Sequence, residues 1–217
     1  MTLRHLTVAI LAAATLACGD SSAPDRSDRY DWVFLDGADS LTFHWLPSEL
    51  PVRVWVEDSA RLSTHVTRGL GLWRATLGEA TFNAIVVNDS ATADVIVRIQ
   101  SIFTAPPRIP PGNPDQFCQG STLIDTVASP FQLSIPIHIS IETLGVPSSD
   151  SVQACLRRVA AHELGHSLGL FQHSPNNRDL MFTTPFVDAP SDRDANTVIT
   201  LYAADRNMRP THRPASH

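Results

Sequence analysis

The reading of this 217-residue chain turns on His162-Glu163-Leu164-Gly165-His166-Ser167-Leu168-Gly169-Leu170-Phe171-Gln172-His173-Ser174. On a helix, positions four apart share a face, so His162 and His166 bring two imidazoles to one point and can grip one ion. Glu163 is rotated by about 100° from His162, near enough to reach a metal-bound water without being a ligand. Gly169 can take a positive φ, end the helix and turn the chain back. His173 is then placed to arrive from the loop as a third ligand. No Glu occurs after Glu163, which excludes a glutamate as that third ligand.

Eight residues beyond His173 stands Met181, within Asp179-Leu180-Met181-Phe182, followed by Thr183-Thr184-Pro185. With these residues the chain resembles the metzincins, and among them the matrixin branch. Their pattern is His-Glu-x-x-His-x-x-Gly-x-x-His, followed by a turn whose methionine lies beneath the zinc. Met181 matches that methionine. Ser191-Asp192-Arg193-Asp194 and Thr197 to Tyr202 resemble the opening and core face of the matrixin C-terminal helix. The resemblance implies an α+β fold: a twisted mixed sheet, an active-site helix and a C-terminal helix in three packed layers. It also implies one catalytic Zn2+ and peptide-bond hydrolysis, with Glu163 as general base. One departure stands out. The family places its third histidine three residues after the glycine, where this chain has Gln172, and His173 follows one later. The chain must bulge by one residue to present His173; Asp179 is the alternative ligand.

Upstream, Pro51 to Glu57 alternates apolar and polar residues as a half-buried strand does. Leu62, Val66, Leu70, Trp73 and Leu77 recur every three or four residues and predict a helix over 59–77. Strands are expected at 82–87, 94–99, 121–126 and 137–141, with a proline-rich loop over 104–120. Ser148-Ser149-Asp150 can cap a long helix running to about Gly169, and a last helix is expected over 191–203.

At the start, Arg4 and His5 precede an apolar run from Leu6 to Ala17 that is too short to span a bilayer. Its end, Thr15-Leu16-Ala17-Cys18, resembles a bacterial lipoprotein signal, with an ordinary signal peptide as the other reading. The expected organisation is therefore a signal peptide (1–17), a lipid-anchored flexible tether (18–40), a catalytic domain (41–205) and a disordered tail (206–217). Acylation of Cys18 would anchor the chain to a membrane in the bacterial cell envelope. Without it the protein would be secreted. Of three cysteines, Cys118 and Cys155 then remain as one possible disulfide. Cys155 precedes His166 by 11 residues, about 16 Å along a helix, too far to share its ion.

A net charge of −6, with 16 scattered basic residues, offers no face for nucleic acid. The expected partners are a peptide or protein substrate and, through Cys18, a membrane, and the chain is expected to act as a monomer. His138 is the one other histidine weighed for a metal, in a second site; a cleft-lining role is the alternative. Phe117-Cys118-Gln119 lacks the Pro-Arg-Cys-Gly pattern of matrixin propeptides, so latency of that kind is not expected. An extended substrate is expected to pair with an edge strand near 137–141, with 183–188 shaping the adjacent pocket. The rival from another class is a zinc-binding envelope lipoprotein without turnover. Glu163 argues against it, since a structural zinc site needs no base and has four protein ligands.

Overall fold

The computed structural model describes residues 28–101, 118–127, 129–143 and 148–212. Its centre is a five-stranded sheet. Strand β3 (Val52–Val56) pairs in parallel with β4 (Ala84–Val87) on one side and β5 (Val95–Ser101) on the other. Strand β9 (Ile137–Thr143) continues the parallel run beside β5, and β6 (Cys118–Leu123) closes the edge antiparallel to β9. Between β3 and β4 the chain crosses over through α1 (Leu62–Leu77). The helix buries Leu62, Val66, Leu70 and Trp73 against α2 (Asp150–Ser167) and the sheet. Val52, Val54, Val56, Val95, Val97, Ile137, Ile139 and Ile141 supply the sheet side of this core.

Helices α1 and α2 lie close together because Gly69 removes a side chain at their contact. A Cβ there would sit 2.8 Å from a Leu164 methyl and 3.1 Å from the Ala161 Cα. Ser149 caps α2 by accepting from the Val152 amide, as its sequence signal predicts. The third layer is α3 (Asp192–Ala203), which packs on α1 and begins with the Ser191/Asp194 capping box. The fold is thus the expected α+β arrangement with a mixed sheet.

Four expectations need correction. The strand expected to receive substrate, 137–141, is interior; every second residue of β9 is buried, and the edge beside it is β6. Strand β6 itself starts at Cys118, inside the stretch read as a proline-rich loop. A short strand of polar and small residues carries no apolar alternation to announce it.

The other two corrections are at the ends. The tether was expected to reach residue 40, yet Tyr30 is buried and β1 (Phe34–Asp36) pairs with β2 (Asp39–Leu41). The tail expected to be disordered from 206 contains β10 (Arg209–His212), parallel to β8 (Ser129–Ile135). Strand β8 also pairs with the two-residue β7 (Thr126–Val127). Arg206 grips both oxygens of Glu49 at 2.6 and 2.7 Å, and Met208 is fully buried. Both segments read as polar because one or two anchors, not a periodic face, hold them. Residues 1–27, with Cys18, lie outside the described residues.

Candidate metal centre and cleft

Helix α2 ends in a Schellman motif. The Gly169 amide bonds the His166 carbonyl at 3.0 Å, and the Leu170 amide bonds Gly165 at 3.2 Å. Gly169 has φ +105°, and a Cβ there would lie 1.9 Å from the Phe43 carbonyl oxygen. Glycine is required twice over, by dihedral and by space. The chain then returns past the helix end and delivers His173. The three ring pairs among His162, His166 and His173 have centroids 4.8 to 5.2 Å apart. One ligand nitrogen from each lies within 4.8 Å of the others.

The extra residue before His173 is absorbed sideways. Gln172 turns away from the imidazoles and donates its amide to the Val33 carbonyl at 2.9 Å. The neighbouring Phe171 amide reaches the Trp32 carbonyl at 3.2 Å, and its ring meets Phe34 edge-on. Asp179, the alternative ligand, faces elsewhere: it accepts from Ser174 and Ser191 and lies 3.1 Å from Arg193.

The chemistry of the donor set fits a cation. His162 Nδ1 donates to the Leu180 carbonyl at 2.8 Å, and His166 Nδ1 donates to the Leu170 carbonyl at 2.5 Å. A carbonyl oxygen only accepts, so each Nδ1 carries the ring proton and each Nε2 presents a lone pair. Those two lone pairs face one another at 3.1 Å, an arrangement that repels unless a cation sits between them. Burial holds His162 well below the usual histidine pKa and His166 at about 4, with the neighbouring imidazoles adding to the shift. Burial lowers His173 as well. All three are therefore in the neutral, ligating form at pH 7.

Met181 is fully buried against α2 at Gly165. Gly165 makes room for it: a Cβ at that position would be 2.4 Å from the Met181 sulfur and 2.8 Å from the Trp73 ring. The turn carrying Met181 is held by Asp194, whose carboxylate accepts from the Leu180 amide at 2.7 Å, the Met181 amide at 3.3 Å and the Tyr30 hydroxyl at 2.8 Å. Leu180 in turn orients His162. Sequence reading placed Asp194 only at the opening of the last helix; its reach to the turn is tertiary and has no sequence signal.

Glu163 is almost wholly buried beside the imidazoles, and burial pushes its carboxyl up to about 7 against the opposing hydrogen bond from Thr122. A cleft of about 370 Å³ opens over the three histidines and Glu163, with Gly120 and Thr122 of β6 on one wall and Phe171 and Thr183 on others. Cys118 and Cys155 are joined in a disulfide with Cα atoms 5.9 Å apart, which ties the start of β6 to α2. The pairing expected from cysteine count is the one found. His138 lies away from this cleft, on a smaller cavity with Asp125 and Ser134. Among the described residues, His162, His166 and His173 form the one cluster of potential metal ligands.

A buried His-Glu-x-x-His helix, a third histidine delivered by a glycine turn and a buried methionine turn packed on that helix define a metallopeptidase-type centre. The sequence model of the matrixin family matches residues 56–203, from the end of β3 through α3. The chain belongs to the matrixin family, whose members are zinc-dependent metalloproteases. No curated protein matches it.

Proposed function

We propose that the protein is a zinc endopeptidase that cleaves an extended peptide laid along β6, with Glu163 as general base. The observation that carries this reading is the pairing of three neutral imidazoles with a buried carboxylate on one cleft floor. His162, His166 and His173 would hold the zinc. Bound there, the ion supplies a Lewis acid that acidifies a water and polarises the scissile carbonyl.

Glu163 then accepts a proton from the attacking water and returns it to the departing amine, so that no net proton is lost between the two steps. In the metal-free protein burial raises its pKa to about 7, and a base poised near neutrality both accepts and returns a proton at little cost. Among the described residues β6 is the edge strand beside the cleft, and its backbone would pair with substrate. Segment 183–188 is held at its far end by Arg157, which clamps Asp188 at 2.9 and 3.1 Å. That clamp fixes the wall flanking the scissile bond.

Export and anchoring belong to the same reading. The apolar run ending at Cys18 supports lipidation in the cell envelope, and a disulfide suits an oxidising compartment. The test of the activity is to incubate the zinc-loaded domain with a mixed peptide library, with and without chelator. Chelator-sensitive cleavage at internal bonds is expected; a loaded protein that cleaves nothing would favour a binding role without turnover.

A further inference from the structure

Glu163 has a long, flexible side chain that shares one cleft with the imidazole cluster, so its carboxylate must be held to act there. Residues 120 and 122 lie on the same face of β6, two apart, and both meet this carboxylate. The Thr122 hydroxyl lies 2.7 Å from Glu163 Oε2 and 3.1 Å from the Glu163 backbone oxygen. A hydroxyl has one proton to give, and the charged acceptor at the shorter distance takes it. At Gly120 a Cβ would lie 2.4 Å from Oε1 and 2.6 Å from Cγ, so the other oxygen packs against bare backbone.

We propose that Thr122 is a positioning residue for the Glu163 carboxylate: its hydroxyl holds Oε2, and the missing side chain at Gly120 leaves the room that this orientation of the carboxylate needs. The inference rests on the peptidase reading and adds to it a residue outside the metal-binding stretch. It also makes the wall that receives substrate the element that aims the base. Strand β6 is fastened to the same helix by Cys118–Cys155, which keeps the strand and the helix that bears Glu163 together.

The test uses Thr122→Val, which keeps a β-branched side chain of nearly the same shape, and Thr122→Ser, which keeps the hydroxyl. In the zinc-loaded enzyme, Thr122→Val should lower kcat by about 10-fold or more, the scale of losing a hydrogen bond to a charged group. KM and zinc content should stay within twofold of wild type, and Thr122→Ser should restore most of kcat. Equal kcat in wild type and Thr122→Val, or equal damage from both substitutions, overturns the proposal.

A second readout is independent of turnover. In metal-free protein carrying ¹³C-labelled glutamate, the infrared carboxylate band that vanishes in Glu163→Gln should shift in Thr122→Val and return in Thr122→Ser. An unshifted band overturns the proposal as well. A wild-type domain that cleaves no peptide defeats the peptidase reading alone, and the infrared comparison then still decides whether Thr122 holds the carboxylate.

Discussion

The Leu180 carbonyl accepts the Nδ1 proton of His162 at 2.8 Å, so the residue beside Met181 sets the tautomer of the first imidazole. Leu180 is itself held through its amide by Asp194 at 2.7 Å. A carboxylate on the last helix therefore orients a histidine on the active-site helix through one turn of backbone. Partners of this kind typically change metal affinity by about 10–100-fold when removed. Asp194→Ala should weaken zinc binding on that scale in a chelator competition. Affinity equal to wild type in a folded variant would show that the turn holds His162 without Asp194.

Glu163 lies outside the three-nitrogen cluster, so its removal should separate catalysis from metal binding. Glu163→Ala and Glu163→Gln should retain one zinc per chain while kcat falls by roughly 10²–10⁴-fold. Zinc content by mass spectrometry and hydrolysis of one library-derived peptide check the two halves. Equal rates in wild type and Glu163→Ala would mean that other chemistry cuts the peptide.

The ligand loop gives a graded expectation. His173→Ala should sharply weaken zinc binding, because two imidazoles on a helix leave the ion half held. Gln172→Ala should leave affinity nearly unchanged, since Gln172 bonds Val33 and not the centre. Asp179→Asn should act on folding more than on metal, since Ser174, Ser191 and Arg193 surround it. Full zinc retention by His173→Ala would overturn the ligand assignment.

Cys118–Cys155 closes a separation of 37 residues. Chain-entropy arguments put such a link at roughly 3–4 kcal/mol. The Cys118→Ser/Cys155→Ser double variant should unfold at lower denaturant concentration than wild type. Peptidase activity should fall further than zinc content, because β6 loses its fastening to α2. Unchanged midpoint and activity would sink this assignment.

Acid sensitivity should have a contribution from Glu49. Burial raises its pKa, but the Arg206 guanidinium and the Leu46 amide outweigh burial and hold it below 4.5. A carboxylate with a depressed folded pKa contributes stability at pH above its unfolded value. That contribution fades as pH falls below about 4.5 through the folded pKa. In metal-free protein, Glu49→Gln should therefore lose less stability than wild type between pH 5 and pH 3, measured by urea midpoint. Parallel curves for the two proteins would remove Glu49 from the acid limb.

How much of this was legible depends on whether a residue acts through its neighbours in sequence or across the fold. His162, Glu163, His166 and Gly169 are separated by helical spacing, and local geometry alone brings them together or ends the helix. Leu62, Val66, Leu70 and Trp73 declare α1 for the same reason. Gly120, Thr122, Gly165 and Asp194 work through contacts with distant residues, and nothing in their own surroundings marks them. The last strand was missed because parallel pairing with β8 and the buried Met208 hold it, without the alternation that reveals an amphipathic strand. The edge strand was assigned to the apolar run at 137–141, although apolar runs mark interior strands and the edge is the more polar β6.

The docking of Gln172 on Val33 has a consequence for how ligand spacing should be counted. The distance between metal ligands along a chain is a property of the path between them, and a path can lengthen without moving its ends when the slack finds a mooring. Here the mooring is the stretch from Trp32 to Phe34, well before the matched family region begins at residue 56. Loop length at 170–173 and the presence of that early stretch are therefore expected to vary together among related chains. A chain with the shorter loop has no extra residue to dock there, and a chain with the longer loop but no such stretch would lose the Phe171 contacts together with the Gln172 bond, leaving its third histidine adrift.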